Sequence, residues 1–270
     1  MGLLDGKVAF VTGAARGQGR THAVRMAAEG ADIVAVDVVA PVAADNGYPA
    51  AVPEDLDETA RLVEEQDRRI VARVADVRDS AALDAALDEA ASELGARLDI
   101  VVANAGVSNW NRFWEISDEQ WQTVVDVNLT GVWRTMKAAA PRMIAAGNGG
   151  SIVVTSSVAG LKSLPAQAHY AASKHGVVGL TKTAAIELAE FDIRVNSIHP
   201  WAVRTEMGRD RSFEPQIEAH PQYARSFASL LPERAAHTDD ITNAVMWLVS
   251  DLGRTVTGAQ IPADLGATTL

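Results

Sequence analysis

The sequence has no cysteine among its 270 residues, which excludes a disulfide framework and any thiolate metal site. Basic residues are also in short supply: 24 Lys and Arg stand against 35 Asp and Glu, for a formal charge of −11. A nucleic-acid binder neutralises phosphates with clustered bases, so that class is excluded, and an anionic membrane surface would repel this chain for the same reason. No apolar run approaches the ~18 residues of a spanning helix. The start, Met1-Gly2-Leu3-Leu4-Asp5, leads into a strand-like run without a basic or apolar leader region, so no secretory signal is expected and a cytoplasmic location is. No cluster of His, Asp and Glu has metal-ligand spacing, and no metal is expected. There is no internal repeat and no linker.

What is present is a regular alternation. With 48% apolar and 22% charged residues the composition is that of an ordinary globular chain. Short apolar runs occur at Lys7–Val11, Asp32–Asp37, Ile70–Val74, Leu98–Ala103, Ser151–Thr155, Ile193–Ile198 and Ala259–Ala263. Continuous runs of this length are the form of strands buried on both faces. Between them lie helical patterns near 55–67, 80–94, 117–146, 165–190 and 238–250. Ser117 to Gln120 reads as a capping box, each side chain satisfying an orphan amide. The expectation is an α/β fold: one Rossmann-type domain over 1–270, with a doubly wound, mostly parallel, seven-stranded sheet and helices on both faces.

One segment breaks the rhythm. Residues 38–54 carry Pro41, Pro49, Pro53 and the pair Asn46-Gly47, which forbid a regular element. The segment reads either as a mobile surface loop or, from its place at the carboxyl end of the second strand, as a wall beside a ligand.

Thr12-Gly13-Ala14-Ala15-Arg16-Gly17-Gln18-Gly19 lies between the first strand and the first helix. Gly13 permits a sharp turn, and Gly17 and Gly19 let backbone approach a pyrophosphate held on the helix N-terminus. A glycine-rich turn is weak by itself; following a strand and opening a helix makes it a dinucleotide site, with Arg16 and Gln18 among its contacts. Asp37 lies 18 residues past Gly19, where a carboxylate can accept from both ribose hydroxyls and repel a 2′-phosphate, which favours NAD. The bland alternative is a solvated acid at a strand end. Arg16 argues towards NADP, but no Lys or Arg follows Asp37 to complete a phosphate site.

With these motifs the chain resembles the short-chain dehydrogenase/reductase family over nearly all its length. The glycine motif matches residues 12–19, the adenine-side acid matches Asp76 followed by Val77, and the strand-end motif is Asn104-Ala105-Gly106. The family's helix asparagine falls at Asn128, its serine at Ser157, and its Y-x-x-x-K signature at Tyr170 to Lys174. The spacing of thirteen residues between Ser157 and Tyr170 selects Ser157 over Ser156. Val203 and Thr205 align with the positions that hold the nicotinamide carboxamide, although Trp201 stands where the family usually has glycine, and a bulky residue resists positive φ. The loop 38–54 and the run Asp67 to Arg73 are similar to the carveol dehydrogenase-like, mycofactocin-associated branch, in which the insertion folds over NAD and retains it.

The resemblance implies oxidation of a secondary alcohol, or the reverse, by hydride transfer with NAD. Tyr170 would take the alcohol proton, Ser157 would hold the substrate oxygen, Asn128 would hold a water linking Lys174 to solvent, and Lys174 would bond the nicotinamide ribose. Tyr170 and Lys174, four apart on a helix, share a face. An ammonium at ~4 Å and an effective dielectric of ~20 contributes roughly 4 kcal/mol, which could lower the tyrosine pKa by up to about two or three units before other contributions. Without the other motifs, a Tyr and Lys at this spacing are a common surface pair. Trp110, Trp114, Trp201, Phe213, Tyr223 and Phe227 fall in or after loops at strand ends, with 201–235 as the substrate region, which favours an apolar cyclic or bulky alcohol. His169 and His199 read as structural. The resemblance also implies a homotetramer built on 117–146 and 165–190, and a redox partner such as mycofactocin for a retained cofactor. Two alternatives stand beside this reading: an NADPH-dependent 3-oxoacyl-type reductase of the same family, and a non-catalytic nucleotide-sensing protein on the same fold.

Overall fold

Strand β1 (Val8–Thr12) is buried along its whole length because it serves two cores. Val8 and Phe10 pack into one and Ala9 and Val11 into the other, the two-sided burial that continuous apolar runs anticipate. The computed structural model describes residues 2–43 and 46–270. Ala44 and Asp45, in the middle of the 38–54 loop, lie outside the described residues.

The other strands are β2 (Asp32–Asp37), β3 (Ile70–Val74), β4 (Ile100–Ala103), β5 (Gly150–Thr155), β6 (Ile193–Pro200) and β7 (Gln260–Ala263). They form a seven-stranded sheet in the order β3-β2-β1-β4-β5-β6-β7, and every pairing is parallel. The helices are α1 (Gly17–Ala28), α2 (Pro53–Glu64), α3 (Ser80–Leu94), α4 (Asp118–Val125), α5 (Gly131–Ala146), α6 (Ala168–Leu188), α7 (Glu214–Ala219) and α8 (Thr238–Val249). Leu83 and Leu87 of α3, Met136 and Met143 of α5 and Val177 of α6 fill one core. Met26 of α1, Leu56 and Val63 of α2 and Ile241 and Val245 of α8 fill the other. Because β1 pairs with both β2 and β4, chain order reverses there and a crevice opens at the strands' carboxyl ends, where ligands bind in such sheets.

Two local features depart from or fill in the sequence reading. The helical pattern 117–146 is not one α-helix: a π-turn, Asp126–Thr130, separates α4 from α5. Its single wider turn carries Asn128, and π-turns of this kind recur at functional sites. At the start of α4 the expected capping box is formed, Gln120 N donating to Ser117 Oγ at 3.1 Å and Ser117 N to Gln120 Oε1 at 3.0 Å. Trp201 needs no left-handed backbone, since it is absent from the residues with positive φ; the concern attached to its bulk does not arise.

Candidate active site

The nucleotide end of the site is built from the β1–α1 turn. Gly13 has φ +67°, and a Cβ there would stand 2.8 Å from Ala105 Cα; one on Gly19 would stand 2.0 Å from Gly13 O. The turn therefore closes on itself and on the end of β4 only because both are glycine. Asn104 ties the two strands together, its Nδ2 donating to Thr12 O at 3.1 Å and its backbone N to Thr12 Oγ1 at 3.1 Å. Arg16 caps α1 with extended backbone and no side-chain hydrogen bond to it, so the first amides of the helix are left for an anion.

Around this turn lies a cavity of about 380 Å³ lined by Gly13, Arg16, Gly17, Gln18, Asp37, Asp76, Val77, Asn104, Ala105, Gly106 and Thr205. The structure thus brings together most of the residues expected to hold a dinucleotide. Gly19 packs beneath the turn and Val203 is 5% exposed, both outside the lining. Gln18 Oε1 is buried in the wall without a hydrogen-bond partner, which an incoming donor would satisfy. Asp37 Oδ2 accepts from Ala15 N at 3.0 Å and Oδ1 from Val39 N at 3.1 Å, leaving lone pairs on both oxygens. Burial pushes the Asp76 carboxyl up, but hydrogen bonds from Arg78 outweigh it and hold Asp76 below its usual range. Uncapped helix amides, a cradle without Cβ atoms and a strand-end carboxylate fit a dinucleotide with free ribose hydroxyls.

The chemical end lies where β4, β5 and α6 meet. Asn128 is fully buried and commits its amide chiefly to Val107: Oδ1 accepts from Val107 N at 2.8 Å and Nδ2 donates to Val107 O at 2.8 Å, with a longer bond from Nδ2 to Ser173 Oγ at 3.5 Å. Its Oδ1 and Lys174 Nζ stand 3.4 and 3.7 Å from where a Cβ on Gly106 would lie, so both abut the end of β4. Lys174 Nζ donates to Thr155 O at 2.8 Å and sits 5.5 Å from the centre of the Tyr170 ring. Ser157 Oγ accepts from Ala159 N at 3.1 Å and is hydrogen-bonded with Tyr170. Ser156 is differently occupied, donating to Lys174 O at 3.0 Å.

The electrostatics differ from the sequence expectation in one respect. Burial pushes the Tyr170 phenol above the ordinary tyrosine range, against the hydrogen bond with Ser157. Burial also brings Lys174 down to about 8. The expected lowering of Tyr170 by Lys174 is thus absent from the protein by itself, because the ammonium is directed at the Thr155 carbonyl and desolvation dominates both groups.

Several residues support the site: His199, which the sequence already marks as structural, and Thr59 and Arg20, which it does not. His199 is fully buried, its Nδ1 on Ser157 O at 2.8 Å and its Nε2 on Ser197 Oγ at 2.9 Å. Burial lowers it to about 4, so it is a neutral brace for Ser157. Thr59 Oγ1 donates to Ala14 O at 2.9 Å, and Arg20 bonds Thr59 Oγ1 at 3.0 Å and Asp55 O at 2.7 Å; together they fasten the start of α2 to the glycine turn. A threonine inside a helix gives no such signal from spacing alone.

The described residues of the 38–54 segment line one side of the cavity. Arg16 donates to Pro49 O and, at 3.3 Å, to Ala50 O; the guanidinium that could have argued for NADP is engaged with the loop. The phenol of Tyr48 accepts from Ser108 N at 3.2 Å. Beyond it stand the aromatics of the substrate region: Trp110 lies 5.3 Å from Phe213 and 5.9 Å from Phe227, and Trp201 lies 6.2 Å from Phe227. Trp114 and Tyr223 are not in this cluster; they pair with Phe113 and His220.

A parallel sheet with a dinucleotide cradle, and a Ser-Tyr-Lys group at its mouth, defines a nucleotide-dependent oxidoreductase site. The chain belongs to the short-chain dehydrogenase/reductase family: a family model described as Enoyl-(Acyl carrier protein) reductase matches residues 13–268. It is 55% identical over 268 residues, 98% of this chain and 97% of the relative, to an uncharacterized NAD-dependent oxidoreductase of Mycobacterium tuberculosis. It is 47% identical to the (−)-trans-carveol dehydrogenase of Rhodococcus erythropolis, covering 99% of each chain. Among solved structures, a short chain dehydrogenase from Mycobacterium paratuberculosis bound to NAD superposes with a TM-score of 0.97 at 50% identity, covering 100% of both chains. No helix among the described residues is long and apolar enough to cross a membrane.

Proposed function

We propose that the protein interconverts an apolar, cyclic or bulky secondary alcohol and its ketone. It is an NAD-dependent oxidoreductase acting on CH–OH groups. The observation that carries the narrower reading is that Tyr170 packs against the same small apolar cluster as Trp201 and Phe227, and Phe227 in turn contacts Trp110 and Phe213. The relative named for carveol, a cyclic alcohol, supports it.

Bound NAD would supply the acceptor for the hydride of the carbinol carbon. The chain's own residues would do the rest. Gly13, Gly17, Gln18 and the first amides of α1 would hold the pyrophosphate, Asp37 the adenosine ribose, Asp76 and Val77 the adenine, and Val203 and Thr205 the carboxamide. Asn104, Ala105 and Gly106 would line the nicotinamide side. Ser157 would fix the substrate oxygen and Tyr170 would take its proton. Lys174, near pKa 8, would bond the second ribose and return the proton to solvent through water held at the Asn128 turn. Since the Asn128 amide is committed to Val107, its part runs through the position of that turn.

The reading extends to a retained cofactor. A loop fastened at the adjacent residues Tyr48, Pro49 and Ala50, to Ser108 and Arg16, would slow release more than binding; an external acceptor, such as mycofactocin, would then reoxidise the bound cofactor. A cytoplasmic homotetramer completes the proposal, with Trp121 of α4 and Trp133 of α5 both more than 40% exposed on the faces that would pair. Denaturing the purified protein and assaying the supernatant tests cofactor identity and retention together. NAD(H) in near-stoichiometric amount is expected; NADP(H), or an empty supernatant from a protein that turns over steadily on free NAD, overturns the respective part.

A further inference from the structure

The resemblance implies an insertion loop that folds over NAD. Its backbone does return to the glycine turn at Pro49 and Ala50, but Tyr48 itself reaches further. Its hydroxyl is on Ser108 N, two residues beyond Gly106, and its ring lines the cavity with Gly106, Val107 and Met207. It stands close enough to Tyr170 for the two phenols to interact electrostatically. One side chain of the loop therefore occupies the seam between nucleotide and substrate.

The loop is built to stop at that seam. Gly47 fits against the substrate region so closely that a Cβ would stand 2.0 Å from Asp210 Oδ1 and 2.9 Å from Ser212 Oγ. Asp210 is 4% exposed and fixed by Ser212, whose N and Oγ donate to Oδ1 at 2.8 and 2.6 Å. The glycine lets the loop approach the Asp210–Ser212 pair closely, immediately before Tyr48. The Tyr48 oxygen accepts one hydrogen bond, and its own proton has no acceptor among the described residues. Burial pushes this phenol up to about 12, so it remains a neutral donor at any pH at which the protein works.

We infer that Tyr48 is the closing contact of the site, donating its phenolic proton to an oxygen on the nicotinamide half of the bound cofactor and forming the wall of the substrate pocket beside Tyr170. The inference rests on the dinucleotide reading of the cavity but not on slow exchange. It makes the loop a part of the reaction pocket as well as a cover, and it gives Gly47 a purpose: a side chain there would have to displace the buried Asp210 carboxylate.

The test compares wild type, Tyr48→Phe, Tyr48→Ala and Gly47→Val by two readouts. One is the dissociation rate of NADH, followed by fluorescence after mixing with excess competing nucleotide. The other is the separate effect on kcat and KM for a cyclic secondary alcohol. Tyr48→Phe loses only the hydroxyl, and NADH should leave roughly tenfold faster, the scale of one hydrogen bond. Tyr48→Ala should release faster still and raise KM for bulky alcohols more than for small ones. Gly47→Val should resemble Tyr48→Ala although it leaves the tyrosine in place. Unchanged melting temperatures of the cofactor-free variants would show that the fold is intact. Release within twofold of wild type in both Tyr48 variants, with KM unchanged, overturns the inference. The ratio of variant to wild type judges Tyr48, whereas the absolute wild-type rate judges cofactor retention, so the two readings fail separately.

Discussion

Lys174 and Tyr170 stand one helical turn apart, yet the lysine's hydrogen bond goes to the Thr155 carbonyl at 2.8 Å, with its ammonium 5.5 Å from the tyrosine ring centre. The pair is assembled but electrostatically unspent: Lys174 is buried, Tyr170 is half-buried, and both are shifted towards their neutral forms. Such an arrangement is costly in the protein alone and is repaid when a cofactor ribose and a substrate oxygen enter.

The lysine gives a stability prediction with a definite sign. Its pKa in the folded protein is about 8 against a usual 10.5, so the cost of burying the charge is fully present below pH 8 and disappears as pH rises towards 10.5. Lys174→Met should therefore stabilise the cofactor-free protein at pH 7, by up to about 3 kcal/mol before the lost Thr155 bond is counted. Urea unfolding at pH 7 and pH 10 should show that gain shrinking at the higher pH. A gain that grows with pH contradicts the burial account.

Ser156 and Ser157 are adjacent but differently employed. Ser157→Ala should lower kcat by roughly tenfold to a thousandfold, the range of a lost donor at a developing charge. Ser156→Ala should mainly cost stability, about 1 kcal/mol for its bond to the Lys174 carbonyl. Steady-state kinetics and thermal melts on both variants separate the roles, and the reverse pattern would transfer the assignment to Ser156.

How much of this was readable beforehand varies with the physics involved. The order of strands and helices follows from apolar periodicity, and β2 and β3 fall at the residues the pattern marks. The glycine turn and the Tyr170-Lys174 pair are local signals of short spacing. The π-turn at Asn128 is invisible to periodicity, since one extra residue in a turn leaves the apolar pattern nearly unchanged. The contacts of Tyr48 with Ser108 and of Gly47 with Asp210 join residues 60 and 163 positions apart, and only the folded chain reveals them. The Tyr170 shift was misjudged because a helical face gives direction but not where a lysine's hydrogen bond goes.

Asp37 carries two functions in the structure. Its carboxylate faces the cavity and also accepts from Val39 N, and Val39 sits at φ +41°, a conformation a β-branched residue holds only when its surroundings impose it. Asp37→Ala should weaken NAD and relax discrimination against NADP, as expected from removing a ribose acceptor and a phosphate-repelling charge. It should also loosen the start of the loop. Titration with both nucleotides checks the first effect and limited proteolysis across 38–54 the second; an unchanged preference would place cofactor choice elsewhere.

Arg16 is assigned to the loop rather than to a 2′-phosphate. Arg16→Ala should speed NAD release several-fold while leaving the ratio of NAD to NADP affinity unchanged. A variant whose preference moves further towards NAD would show that the guanidinium recognises phosphate after all.

The most direct test of the account is a single-turnover measurement on Tyr170→Phe and wild type, both as purified and without added nucleotide. Each is mixed with carveol or another cyclic secondary alcohol, and the absorbance of reduced nicotinamide is followed. The account predicts that wild type shows one burst, stoichiometric with its bound NAD, and that the burst repeats only when an artificial electron acceptor is supplied. Tyr170→Phe should hold the same amount of NAD and show no burst. A variant that still reduces its bound NAD within tenfold of the wild-type rate would contradict the central claim that Tyr170 accepts the proton.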